Sequence, residues 1–240
     1  MGVTAWVVLA ILIDGLAGLA GGLIPERFLE RRQSLLLGFA IGALFAAVAF
    51  DLAPSAFAAL GWRAAAWGGG GLVVIMLVER VVGHRHGAHD HEPERRDARV
   101  LRYTLLASDA LHNFGDGMAI AAAFVQSVHL GLGTSLAVIV HEVPEEIADY
   151  ALLRAGGLPR GQALAALGAV QLTAGLGAAV TLAGVSRVDS FADVAIAVAA
   201  GTFVAIVLQL APPLIRDRAH RLPALLGIVV GGAAVFVVSR

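Results

Sequence analysis

The sequence predicts an all-α membrane protein of eight spans, and three features carry that reading. Of its 240 residues, 58% are hydrophobic, and the mean hydropathy of +0.82 describes a surface that water would not solvate in an ordinary soluble domain. The apolar residues fall into eight runs, each near the ~20 residues that carry a helix across a hydrocarbon core of about 30 Å. Arg residues gather in alternate connections between these runs.

The runs are Val3–Leu23, Ser34–Phe50, Ala64–Val82, Leu101–Phe124, Leu130–Leu153, Ala163–Gly184, Ala192–Leu210 and Leu222–Val238, and together they form one transmembrane domain over residues 1–240. The first begins without a basic stretch and is too long for the apolar part of a cleaved leader, so it is expected to remain as a span. Every cation is Arg, for the sequence has no Lys. Of the 17 Arg, 14 lie in or beside alternate connections: Arg27, Arg31 and Arg32; Arg80, Arg85, Arg95, Arg96, Arg99 and Arg102; Arg154 and Arg160; Arg216, Arg218 and Arg221. Only Arg63, Arg187 and Arg240 fall on the other side. The excess of positive charge places the connections 1–2, 3–4, 5–6 and 7–8 in the cytoplasm and both termini outside.

With no Cys at all, disulfides, thiolate ligands and thiol catalysis are excluded. A formal net charge of −1 carries no signature of nucleic-acid binding, and no such partner is expected. The one long polar stretch, residues 83–99, holds His84, His86, His89 and His91 among Asp90, Glu92 and Glu94. It is expected to be a flexible cytoplasmic loop whose composition suits weak, exchangeable metal binding.

Two runs carry charge that hydrocarbon would not tolerate. In the fifth, His141, Glu145 and Asp149 fall within roughly 80° of one another around a helix, with Glu142 and Glu146 beside them. In the fourth, Asp109, His112, Asn113 and Asp116 stand at i, i+3, i+4 and i+7, a stripe within an arc of about 100°. No Arg lies at that depth, so a cation must balance these groups. Imidazole and carboxylate suit a borderline-to-hard divalent ion, and His112, Asp116, His141 and Glu145 supply a zinc set from two i, i+4 pairs. Asn113, Glu142, Glu145 and Glu146 offer a second set in which Glu145 bridges. Asp109 either orients the His112 imidazole or meets metal on its way in. Asp14 and Asp51 read equally as lining the path or as lying near an interface. Pro144 removes the hydrogen bond to the Val140 carbonyl, freeing that oxygen to face a cavity. Without thiolates, Zn²⁺ leads, and Cd²⁺, Fe²⁺, Mn²⁺ and Co²⁺ are further candidates.

An internal repeat is visible where Asp51-Leu52-Ala53-Pro54 at the end of helix 2 matches Gln209-Leu210-Ala211-Pro212 at the end of helix 7. The two exit on opposite sides, as an inverted repeat of three helices on either side of a central pair would require. Gly15, Gly18, Gly21 and Gly22 in helix 1, and Gly168, Gly175 and Gly177 in helix 6, would let those helices approach the central pair closely. Helices 1 and 6 are expected to move with 4 and 5 against 2, 3, 7 and 8.

At the central motifs the sequence resembles the ZIP (Zrt/Irt-like) family of divalent-metal transporters. The family's fourth helix carries His-Asn-Phe-x-(Asp/Glu)-Gly, here His112-Asn113-Phe114-Gly115-Asp116-Gly117. Its fifth carries His-Glu-x-Pro-x-Glu, here His141 to Glu146, followed by Ala148-Asp149-Tyr150 where many members have Gly-Asp-Phe. The likeness reaches Glu79 ahead of a His-rich 3–4 loop and the Leu-x-Pro ends of helices 2 and 7. It implies a binuclear site between helices 4 and 5, a 3+2+3 arrangement of eight helices in the cell membrane, metal flux toward the cytoplasm, and dimers, as in several members. The sequence departs from common patterns at Glu145, where many members have His or Gln, at Asp51 for His, at Gln209 for Asp, and at Gly115 for Pro. A rival reading takes His141 to Glu145 as a degenerate His-Glu-x-x-His of an intramembrane zinc metalloprotease. Pro144 and the missing second His oppose it, since a hydrolytic zinc normally has three protein ligands and an open water position.

Overall fold

In the computed structural model, residues 2–21, 33–84, 95–216 and 221–239 are described. Eight helical rods account for nearly all of them: α1 (Val3–Gly21), α2 (Gln33–Ala46, Ala47–Leu52 and Ala53–Leu60 in continuous succession), α3 (Arg63–His84), α4 (Arg95–Gln126), α5 (Val128–Ala155), α6 (Arg160–Val185), α7 (Phe191–Arg216) and α8 (Arg221–Val238). No strand occurs among the described residues. In hydrocarbon each backbone N–H and C=O must find its partner within the segment, and a helix does this without help from neighbours.

Five rods, α1, α2, α6, α7 and α8, are long and apolar enough to cross a membrane. The apolar part of α3 is shorter, Arg63–Leu77. α4 and α5 are longer still, at 32 and 28 residues, but ionisable side chains interrupt them. Large apolar side chains crowd the outside, among them Leu16, Trp62, Leu172, Leu222 and Val229 at 68–78% exposure, a distribution that lipid explains and water does not. The interior is made largely of alanine: Ala43, Ala47, Ala121, Ala122, Ala123, Ala137 and Ala205 are fully enclosed.

Several rods outrun the apolar runs that announce them. α2 continues past Phe50 to Leu60 because Ala47–Leu52 widens into a π-helical stretch just ahead of Pro54, a register change that accommodates the missing proline donor. α4 starts six residues before Leu101, at Arg95, and α3 ends at His84, so both ends of the expected 83–99 loop are helical. His86, His89, Asp90, His91, Glu92 and Glu94 lie outside the described residues.

A single residue, Ser127, separates α4 from α5. It is extended, with φ −161° and ψ 156°, and its hydroxyl accepts from the Leu130 amide at 3.1 Å, the N-cap geometry that starts a helix. So short a connection makes α4 and α5 an antiparallel hairpin, which turns the stripe carrying His112 toward the one carrying His141. α5 runs through Pro144 without a break.

The most extensive helix pairings are α2 with α8, α4 with α6, α2 with α7 and α3 with α7, followed by α1 with α5 and α4 with α5. Glycine sets how close three of them come. A Cβ on Gly42 would sit 2.0 Å from the Ile228 carbonyl oxygen, one on Gly231 2.0 Å from that of Phe39, one on Gly201 1.8 Å from that of Gly68, and one on Gly177 2.0 Å from that of Phe114. Gly38 and Gly42 on α2 face Gly227 and Gly231 on α8, a small-xxx-small contact from both sides.

A methyl group at Gly42 must therefore push α2 and α8 apart. Gly42→Ala is expected to destabilise the protein by about 1–3 kcal/mol, read as a lower thermal midpoint in detergent. Gly69→Ala, where nothing lies within 4 Å, is the control and is expected to be neutral or mildly stabilising. Equal midpoints for both variants would contradict the close approach.

Candidate metal centre

Halfway along the α4–α5 hairpin, His112, Asp116, His141 and Glu142 bring one ligand atom each within 4.8 Å of all the others. The i, i+4 spacing on α4 stacks His112 over Asp116, with Nε2 to Oδ2 at 3.5 Å. From α5, His141 Nε2 lies 3.0 Å from His112 Nε2 and 3.1 Å from Asp116 Oδ2. Glu142 Oε1 is 3.8 Å from His112 Nε2. The two rings meet edge to face, with centroids 5.2 Å apart and planes at 81°, so that both nitrogens point at one spot.

His141 Nδ1 stands 3.1 Å from the Ala137 carbonyl oxygen. A carbonyl only accepts, so the proton of the neutral ring sits on Nδ1 and the Nε2 lone pair is left to face Asp116. An imidazole lone pair and two carboxylate oxygens then converge, with the His112 ring, 3.0 Å from His141 Nε2, as the one group facing them that can carry a hydrogen. A cation resolves that repulsion. A tetrahedral zinc with bonds of about 2.0–2.1 Å separates its ligands by roughly 3.3–3.4 Å, and the four distances of 3.0, 3.1, 3.5 and 3.8 Å bracket that edge.

The remaining expected residues are distributed around this group. Glu145 was expected as the fourth ligand beside His112, Asp116 and His141; the group whose ligand atoms all lie within 4.8 Å of one another holds Glu142 with those three. Glu145 Oε2 is 3.4 Å from His112 Nε2, and its side chain is 38% exposed. Glu146 is 1% exposed and is tied to Glu142 through Gln171, whose amide donates to Glu146 Oε1 at 2.5 Å and to Glu142 Oε2 at 3.0 Å. Asn113, fully buried, donates from Nδ2 to Asp109 Oδ1 at 2.9 Å. Among the described residues Glu142, Glu145 and Glu146 do not form a second His, Asp and Glu group as tight as the first. Asp51, in the π-helical stretch, has Oδ2 3.2 Å from where a Cβ of Gly133 would stand, against the far part of α5 and away from His141.

Gln171 on α6 and Asp14 on α1 are the residues that reading by charge and spacing undervalues. A lone Gln among alanines gives no periodic signal, although its position amid the small residues of helix 6 was available. Phe203 of α7, fully buried, closes the centre with its ring 5.8 Å from that of His141. Toward the Ser127 turn everything is sealed: Ile120, Ala121, Ala123, Phe124, Ala137 and Val138 are at most 2% exposed. Toward the other end Glu145 is partly exposed and Ala148 exposed.

A helical membrane protein with a buried imidazole–carboxylate centre is the class that this geometry defines. The sequence profile described as "ZIP Zinc transporter" matches residues 82–239, more than half of the chain. The chain belongs to the ZIP family. Among its relatives, human "Zinc transporter ZIP4" is 44% identical over 134 residues, 54% of this chain and 20% of the relative. Mouse "Zinc transporter SLC39A7" is 36% identical over 161 residues, 62% of this chain and 33% of the relative. Human "Zinc transporter ZIP6" is 42% identical over 83 residues, 34% and 11% of the two chains. The match therefore spans a third or less of the length of these curated relatives.

Gln171 is the sole described donor to two buried carboxylates, so its removal exposes their cost. Gln171→Leu in the presence of a chelator is expected to lower stability by about 1–3 kcal/mol, measured by thermal unfolding. An unchanged midpoint would mean that the amide bridge carries no weight.

Proposed function

We propose that the protein carries zinc across a membrane into the cytoplasm through the centre between α4 and α5. The observation that carries this reading is the convergence of His141 Nε2, His112 Nε2, Asp116 Oδ2 and Glu142 Oε1 at separations suited to one tetrahedral cation. Membership of the ZIP family and the printed names of its relatives support zinc as the cargo and speak against the metalloprotease alternative. Cd²⁺, Fe²⁺, Mn²⁺ and Co²⁺ are competing cargoes that the same nitrogen and oxygen donors accept. We assign the metal-holding role to His112, Asp116, His141 and Glu142, with Glu145 at the rim receiving or releasing the ion and with Asn113 and Glu146 as the polar shell around a second position.

The eight rods are proposed as eight spans in a 3+2+3 inverted repeat with both termini outside. Helix pairing supports it. Exchanging α1 with α6, α2 with α7, α3 with α8 and α4 with α5 turns the α1–α5 contact into α6–α4, the α2–α8 contact into α7–α3, and α2–α5 into α7–α4, and each member of these pairs is present. With the Arg-rich connections inside, the partly exposed side at Glu145 faces the cytoplasm and the sealed side at Phe124 faces out, so this conformer releases ions inward. The same pairings group α1, α4, α5 and α6 against α2, α3, α7 and α8, and we infer that the first group moves past the second to carry the ion. The cell membrane is the proposed location, and a homodimer the proposed assembly.

Initial zinc uptake into proteoliposomes tests the reading. His141→Ala and Glu145→Ala are each expected to cut uptake at least tenfold at wild-type expression and folding. Protons compete for the same lone pairs, and His has an ordinary pKa of about 6.5, so uptake at buffered free zinc is expected to fall as the pH drops below about 6. Near-normal uptake by both variants, together with a rate that stays flat toward pH 5, would overturn it.

A further inference from the structure

Beyond the ionisable groups of α4 and α5 and the Gln171 amide, one further ionisable side chain among the described residues lies near this region, and it comes from α1. Asp14 is fully buried, at 0% exposure, and among the described residues neither of its carboxylate oxygens has a hydrogen-bond partner. The side chains whose charges act on it are Asp116, His141, His112 and Glu146, and its own charge acts on Glu142. No Arg is among them. Its place on the helix agrees: Gly18 lies one turn further along α1 on the same face, and a Cβ there would stand 2.7 Å from Gln171 Nε2 and 3.3 Å from Glu146 Cγ. Gly15, the next residue, faces Gln171 as well, at 3.8 Å.

A dry carboxylate with neither oxygen paired is disfavoured unless a cation shares its charge. Among the described residues no Arg faces it, so its charge is to be balanced by a proton or by an ion that the neighbouring imidazoles and carboxylates would hold. Small residues at 15 and 18 keep α1 close enough for the short Asp side chain to reach across. We propose that Asp14 is the α1 contribution to the metal centre, a carboxylate that binds the cation together with the α4 and α5 ligands and makes the centre a three-helix site. The inference rests on the metal-carrying reading above and deepens it. It also gives α1 a direct hold on the ion, and so a reason to travel with α4 and α5.

Purified full-length protein in detergent provides the test, with zinc affinity by equilibrium dialysis and the zinc-induced shift of the thermal midpoint as readouts. Asp14→Asn keeps the shape and removes the charge. Without zinc its midpoint is expected to equal or exceed that of the wild type, because an unpaired buried charge is gone. Its zinc affinity is expected to fall at least fivefold, and its zinc-induced shift to drop by half or more, whereas Asp14→Glu retains more of the shift than Asp14→Asn. Should Asp14→Asn fail to fold, Asp14→Ala is read by the same criterion. A zinc affinity within fivefold of wild type in the charge-free variant would overturn the assignment of Asp14 while leaving the α4–α5 centre intact. Wild-type protein that gives no zinc-induced shift and no measurable binding would overturn both.

Discussion

Mutual repulsion among lone pairs is the constraint on which this structure depends. His141 presents Nε2 without a hydrogen because Nδ1 is committed to the Ala137 carbonyl, and the nearest groups it meets are another imidazole and the Asp116 carboxylate. In water such a collection would simply be hydrated. Inside a bundle lined by the buried Ala121, Ala137 and Phe203 the surroundings are apolar, and electrostatic interactions are stronger for it. The protein therefore holds its ligands in a state that is comfortable only with a cation or protons among them. That discomfort is useful to a carrier, which has to bind its ion selectively and yet let it go.

Holding charged ligands together requires rigid walls, and the walls are made by glycine and alanine. Where Gly42, Gly201, Gly177 and Gly231 meet opposing backbones, the helices are too close for a single methyl group. Lipid supplies no hydrophobic drive for helices to associate, so close van der Waals contact takes its place. The closest contacts fall within α2–α8, α3–α7 and α4–α6, pairs that stay together under the proposed motion or that hold the centre itself. Polar bridges do the complementary work at the ends. Gln126, the last residue of α4, bonds Ser55 of α2 and donates to Asp193 of α7 at 2.7 Å, tying the two helix groups together on the sealed side.

The helices were legible in the sequence because hydrophobic runs of spanning length have few other uses, and the hairpin of α4 and α5 was legible because charge inside such runs needs an explanation. The facing stripes placed His112, Asp116, His141 and Glu145 in one set and Glu142 in a second, whereas the structure brings His112, Asp116, His141 and Glu142 within 4.8 Å of one another. Which of Glu142 and Glu145 comes within reach of all three other ligand atoms was not legible, since both lie about one turn or less from His141 and both approach His112 Nε2, at 3.8 and 3.4 Å. Gln171 was missed for a different reason: its role is to donate to Glu142 and Glu146 across an interface, and no local pattern encodes a partner 25 or 29 residues away. The reach of α2 to Leu60 was hidden by Pro54, which reads as a terminator unless a π-helical stretch absorbs it.

Zinc K-edge X-ray absorption on the purified protein loaded with one equivalent of zinc tests the central claim most directly. The account predicts a shell of nitrogen and oxygen at about 2.0–2.1 Å with the outer-shell scattering of two imidazoles, falling to one in either His112→Ala or His141→Ala. A spectrum with no imidazole scattering, or one that neither substitution alters, would contradict it.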